Sequence, residues 1–133
     1  MRGIGSRLAV IALSVVAACN SSEPNGPAAA QVPTGVKASI AGGTINLTWN
    51  AVNAALGYRV YMAEIGGVTR VNVATLPGNM THADLPTLFA HPAGLSPSTK
   101  FFFVVTAVRA DSTESAESCE VNARIGTNEA TAC

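Results

Sequence analysis

The side chains able to do chemistry in this 133-residue chain are few and widely spaced. His82 and Asp84 stand close together with His91 further on, and a metal site or an acid–base pair could be assembled from them. No further carboxylate or cysteine sits at ligand spacing, and all three fall in a stretch without apolar period. They read as solvated loop residues, and a small metal-dependent enzyme is the remotest function considered. No serine lies in Gly-x-Ser-x-Gly or Ser-x-x-Lys, the contexts that activate a hydrolase nucleophile. Gly42-Gly43 and Gly66-Gly67 are too short to cradle a phosphate and fit hairpin turns instead. The sequence therefore proposes no catalytic residue, no metal and no cofactor. Three cysteines remain, Cys19, Cys119 and Cys133, with no Cys-x-x-Cys pair among them.

Cys19 closes an apolar run. Arg2 and Arg7 make a basic start, and residues 8–18 are apolar except for Ser14. That run is shorter than the ~20 residues a helix needs to cross a bilayer. Val16-Ala17-Ala18-Cys19 resembles a bacterial lipobox, which implies that residues 1–18 are a lipoprotein signal peptide. It also implies that Cys19 carries fatty acyl chains such as palmitate, holding the chain at the cell envelope. Each buried methylene contributes ~0.8 kcal/mol, so several chains anchor stably where one does not. The other reading is an ordinary secretory peptide cut after Ala18, with Cys19 incidental. Asn20, rather than aspartate, resembles the signal of lipoproteins passed to a Gram-negative outer membrane. Residues 20–31 are small, polar or proline, so with Cys19 they read as a lipidated tether, 19–31. Export places Cys119 and Cys133 in an oxidising compartment, where a bridge would close a loop of about 15 residues. A bridge to another molecule and two free thiols are the alternatives.

The elements that must carry these residues are strands. In residues 95–108 a turn on Pro97 feeds Phe101, Phe103, Val105 and Ala107, which share one face of an extended chain. Val36, Ala38 and Ile40 alternate earlier, Gly42-Gly43 turns the chain, and Ile45, Leu47 and Trp49 alternate again. Tyr58, Val60 and Met62 point inward in the next run, with Arg59 and Tyr61 outward. The pattern predicts a short strand over 68–74 after Gly66-Gly67, a poorly legible edge strand before Leu95 that must accommodate Pro92, and a last strand over 119–125. Trp49 is expected between two sheets, its indole N–H seeking a partner.

Two stretches carry a family resemblance. Leu95-Ser-Pro97-Ser-Thr99-Lys-Phe101-Phe-Phe103-Val-Val105-Thr-Ala107-Val108, and Trp49 followed by Gly57-Tyr58-Arg-Val60-Tyr61, resemble a fibronectin type III domain over about residues 32–126. Residues 109–118 are similar to that family's Glu-Ser-x-x-Ser loop. The resemblance implies an all-β, immunoglobulin-like antiparallel sandwich of about seven strands, with 127–133 left as a C-terminal tail. Phe101 stands where the family has a tyrosine whose hydroxyl ties a loop down, so that tether is expected to be lost.

Length allows one domain. Lys+Arg and Asp+Glu balance at 8 each, and loss of Arg2 and Arg7 leaves a small acidic excess with no basic stripe, which argues against nucleic acid as a partner. Phe102, Val104 and Tyr61 are apolar or aromatic where an outward face is usually polar. They are the candidate docking face for a protein or glycan, with β propensity as the bland explanation. The sequence thus favours a membrane-anchored, non-catalytic interaction module. A structural envelope lipoprotein that self-associates through the same face or through Cys119 and Cys133 is the alternative.

Overall fold

The computed structural model describes residues 30–85 and 88–133, the side chains of 83–85 excepted; the expected signal peptide, Cys19 and nearly all of the tether lie outside the described residues. β1 (Lys37–Ala41) and β2 (Thr44–Thr48) form as their alternation requires, with Ala38, Ile45 and Leu47 buried. Gly42 and Gly43 join them with φ of 58° and 74°. Positive φ at both central residues makes a two-residue loop whose twist matches that of the strands, and glycine adopts it without steric cost.

β3 (Gly57–Ala63), β4 (Met80–Leu85), β5 (Phe89–Ala90), β6 (Phe101–Val108), β7 (Val121–Arg124) and β8 (Glu129–Ala130) complete the described strands. They pair antiparallel into two sheets, in the orders β1-β2-β5 and β4-β3-β6-β7-β8. This is the expected all-β sandwich. Between the sheets lie Trp49, Tyr58, Val60, Met62, Phe101, Phe103, Val105 and Ala107, the residues that alternation assigned inward. Trp49 and Tyr58 pack tilted, ring centroids 5.5 Å apart. The Tyr58 hydroxyl accepts a hydrogen bond from the Val52 N–H at 2.8 Å, pinning the link from β2 to β3. Phe101 is buried but supplies no such tether to its own loop.

Three expectations are corrected. Residues 68–74 are not a strand: Thr69 N–H donates to Asn72 Oδ1 while Asn72 N–H donates to Thr69 Oγ1, and a 3-10 turn follows at Val73–Thr75. These local side-chain bonds outcompete a ladder. The strand beside β3 is β4 instead, ten or so residues later in the chain. The edge strand β5 is only two residues long, and Pro92 lies beyond it, so the missing proline N–H costs no ladder bond.

Residues 127–133 are no loose tail. β8 pairs with β7, and the chain then crosses to the other sheet, where Ala38 N–H donates to Thr131 O and Cys133 N–H to Val36 O, each at 2.9 Å. Cys119 and Cys133 are joined, their Cα atoms 6.3 Å apart. The tail therefore covers one open side of the sandwich, where β1 would otherwise expose an edge. The internal bridge leaves neither sulfur for a link between molecules.

Two measurements follow from this packing. Replacing Cys119 and Cys133 with serine is expected to cost about 3 kcal/mol in denaturant unfolding, as closure of a loop this size predicts. Trp49→Ala is expected to cost about 3–5 kcal/mol. Trp49→Phe should cost clearly less than Trp49→Ala, because it leaves a smaller cavity and the buried indole N–H it removes has no acceptor among the described residues.

Candidate functional site

The face expected to dock a partner is already covered. Tyr61 is 6% exposed and Val104 2%, and with Ala63 they form a second apolar cluster beneath Val68 and Val73, with Leu76 and Phe102 packed against it. Residues 66–77 thus lie as a strap over the outer face of β3 and β6. Tyr61, Phe102 and Val104 are brought together as anticipated, but their apolar surface is spent within the chain. The candidate docking role is corrected on that ground.

The strap is held by carboxylates. Glu120 Oε2 accepts the N–H groups of Gly67 and Val68 at 2.8 Å, and Glu117 Oε1 accepts that of Arg70 at 2.9 Å. Arg70 in turn donates from Nη1 to the carbonyls of Glu114 and Ser115. Irregular backbone lacks ladder partners, so each unpaired N–H needs an acceptor from elsewhere. Gly66 is close-fitting here: a Cβ would stand 3.2 Å from Glu120 Oε1 and 3.3 Å from Phe102.

At one margin of the strap lies a polar network. Glu114 accepts from Arg59 Nη1 at 2.9 Å and from the hydroxyls of Tyr61 and Thr106, both at 2.5 Å. Burial alone would push the Glu114 carboxyl up, but the Thr106 and Tyr61 hydroxyls and the Arg59 charge outweigh it and hold the group below its ordinary value. Burial, and then the Glu114 charge, push the Tyr61 phenol up, so it stays a donor. Sequence reasoning placed Arg59 and Tyr61 correctly on the outward face but missed their shared acceptor. The Glu-Ser-x-x-Ser stretch, which begins at Glu114, was the available signal.

The two histidines have different neighbours. His91 Nδ1 bonds Asn46 Oδ1 at 2.5 Å and its ring packs on Phe89, whereas His82 sits on β4 opposite Val60. The Asp84 side chain is not among those described. No group of three metal-ligating side chains occurs among the described residues. Of the large apolar residues left exposed, Leu56, Ile65 and Val71 sit on different connections, while Met80 opens β4 and Leu88 precedes Phe89 of β5.

A concave feature does exist, at one pole of the sandwich. Pro97, Ser98, Arg124, Gly126 and Thr127 line a cavity of about 420 Å³, and Gly43, Pro92, Leu95 and Ile125 help line a smaller one of about 200 Å³. The Gly126 N–H donates to Pro97 O at 2.7 Å, and a Cβ at Gly126 would collide with that oxygen. The chain enters at the opposite pole, where Asn50 N–H bonds Thr34 O and Leu56 N–H bonds Val108 O.

No family model matches the chain, and no curated protein does. Solved structures do. A Fn3-like protein from Clostridium thermocellum is 30% identical over 71% of this chain and 91% of its own, with a TM-score of 0.58. The FN5 domain of Drosophila Lar is 25% identical over 71% of this chain and 97% of its own, with a TM-score of 0.50. A mutant domain called FN3tt, 21% identical over 71% of this chain and 94% of its own at a TM-score of 0.55, shares the fold.

The Glu114 network sets a pH dependence. Its carboxyl is lowered in the folded chain, so its contribution is full above the ordinary carboxylate range, about pH 4.3, and is lost as pH falls through the depressed folded value. Glu114→Gln is expected to lower unfolding free energy by about 1–3 kcal/mol at neutral pH. The gap to wild type should close on acidification in denaturant titrations at stepped pH.

Proposed function

The chain belongs to the fibronectin type III family, and from that premise we propose that it is a non-catalytic interaction module, anchored through lipidated Cys19 at the bacterial cell envelope and presenting its domain to a protein or glycan. Domains of this fold are generally interaction modules. The observation that carries the reading is the polarity of the sandwich. Thr34 and Asn50 hold the entry at one pole, and Cys133 returns there to Val36, so a tether drawn from residue 32 toward a membrane would turn the cavity-bearing pole outward. The apolar residues 8–18 ending at Cys19 supply the anchor.

Self-association, the other reading considered, loses both of its proposed routes: the outward aromatic face lies under the strap and the two cysteines are spent on each other. The anchored module is tested by metabolic labelling with palmitate and membrane fractionation of the full chain against Cys19→Ser. Wild type is expected to take up label and sediment with membranes, and the variant to do neither. A wild type that remains unlabelled and soluble overturns the reading.

A further inference from the structure

The tail holds to both sheets without burying an apolar side chain. No residue from Ile125 to Cys133 is buried, and from Gly126 on all but Glu129 are exposed. What attaches it is polar. Thr131 N–H donates to Asn122 O, Ala38 N–H to Thr131 O and Cys133 N–H to Val36 O, each at 2.9 Å. The Thr131 hydroxyl accepts from Asn122 N–H at 2.8 Å, and Glu129 pairs with Lys100. Bonds and ion pairs at such exposed positions compete with water and contribute little each. Asn122 and Arg124, the β7 residues that meet Thr131 and Glu129, each keep a buried polar atom without a partner among the described residues. Water reaching those atoms on opening would offset part of the bonds lost. β7 itself is rooted differently, for Val121 and Ala123 lie fully buried in the core between the sheets. The bridge from Cys119, just ahead of β7, to Cys133 at the end of the tail is thus the strongest tie the tail has. Both cysteines are exposed, within reach of a thiol in solution.

We propose that Cys119–Cys133 is a redox clasp: a dithiol reductant opens it while the sandwich stays folded, and residues 127–133 then leave both sheets. The exchange runs in two steps. A thiolate of the dithiol attacks one sulfur of the bridge, forming a mixed disulfide and expelling the other cysteine as a thiolate, which takes up a proton. The second thiol of the reductant, deprotonated, attacks its own partner sulfur in the mixed disulfide and expels the remaining cysteine, which is protonated in turn. Two electrons and two protons pass to the chain and the dithiol leaves as a disulfide, which by the reverse exchange closes the clasp again. Release bares the edges of β1 and β7 together, because the same short segment, residues 129–133, covers both. An uncovered edge offers unpaired N–H and C=O groups to other chains, so the clasp decides whether the domain presents these two strands. Local opening of this kind is drawn from segments with few buried apolar contacts, which is what the tail is.

The test treats the isotope-labelled full chain, in detergent, with dithiothreitol in native buffer, and reads Cys119 and Cys133 by alkylation and peptide mass. Trp49 emission and amide hydrogen exchange are followed on the same samples. Both cysteines are expected to become alkylated while Trp49 emission and the protection of β3 and β6 amides stay as in the oxidised chain. The amides of Ala38, Asn122 and Thr131 should then exchange at least tenfold faster. The rate of reduction should stay flat with added denaturant below the unfolding transition, since opening the tail uncovers little surface. Cys119→Ser combined with Cys133→Ser should show the same fast amides without dithiothreitol; should that variant fail to fold, the reduced wild type decides alone. A bridge reduced only through the unfolding transition, a reduced chain that keeps those three amides protected, or one that loses the sandwich along with the bridge would overturn the proposal. The readouts lie at Cys119, Cys133 and the tail, so they stand or fall separately from acylation at Cys19.

Discussion

β6 is buried on both of its faces, and much of the rest of the chain is arranged to make that possible. Phe101, Phe103, Val105 and Ala107 meet the other sheet, while Val104, Phe102 and the neighbouring Tyr61 on β3 face away from it. A two-layer sandwich covers only one side of each sheet. The second side of β6 therefore requires a third layer, and residues 66–77 provide it. That layer is irregular, so its N–H groups cannot be met by a ladder. The carboxylates of Glu117 and Glu120 meet them instead.

The same stretch of chain that supports the strap also completes β6. β7 begins only at Val121, opposite Phe103, which leaves the N–H groups further along β6 without a partner strand. Val105 N–H donates to Ser118 Oγ and Ala107 N–H to Ser115 Oγ, each at 2.9 Å, and the two hydroxyls donate onward to the carbonyls of Cys119 and Ala116. The spacing Glu-Ser-x-x-Ser is thus physical. Its serines stand in for ladder acceptors along β6, and its leading Glu114 gathers Arg59, Tyr61 and Thr106 on the outward face. A buried polar group that is fully satisfied rigidifies its surroundings, and this one joins three separate elements.

The tail solves a different problem. Sandwich edges invite pairing with other chains, and β1 and β7 would both lie open on one side. By pairing with β7 and then with the start of β1, residues 129–133 bind both sheets together and return Cys133 to the entry pole. The two cavities described lie at the other pole, away from Thr34 and Cys133.

By itself the sequence determined the sandwich. Alternation in residues 36–49 and 101–107 assigned the inward residues, Gly42-Gly43 marked a hairpin, and Trp49 and Tyr58 marked the core, because these signals are local and a strand's period of two is read directly from neighbours. It also grouped Tyr61, Phe102 and Val104 on one face. What lies over that face was decided only by tertiary structure: in 68–74 a β-rich composition yields to two side-chain bonds and to an apolar cluster whose members come from distant strands. The tail was illegible for a similar reason, since two residues of β8 carry no periodic signal and gain their partners from β1 and β7. Arg124 and its cavity arise where the turns after β5 and β7 meet, a juxtaposition fixed by sheet order rather than by any spacing along the chain.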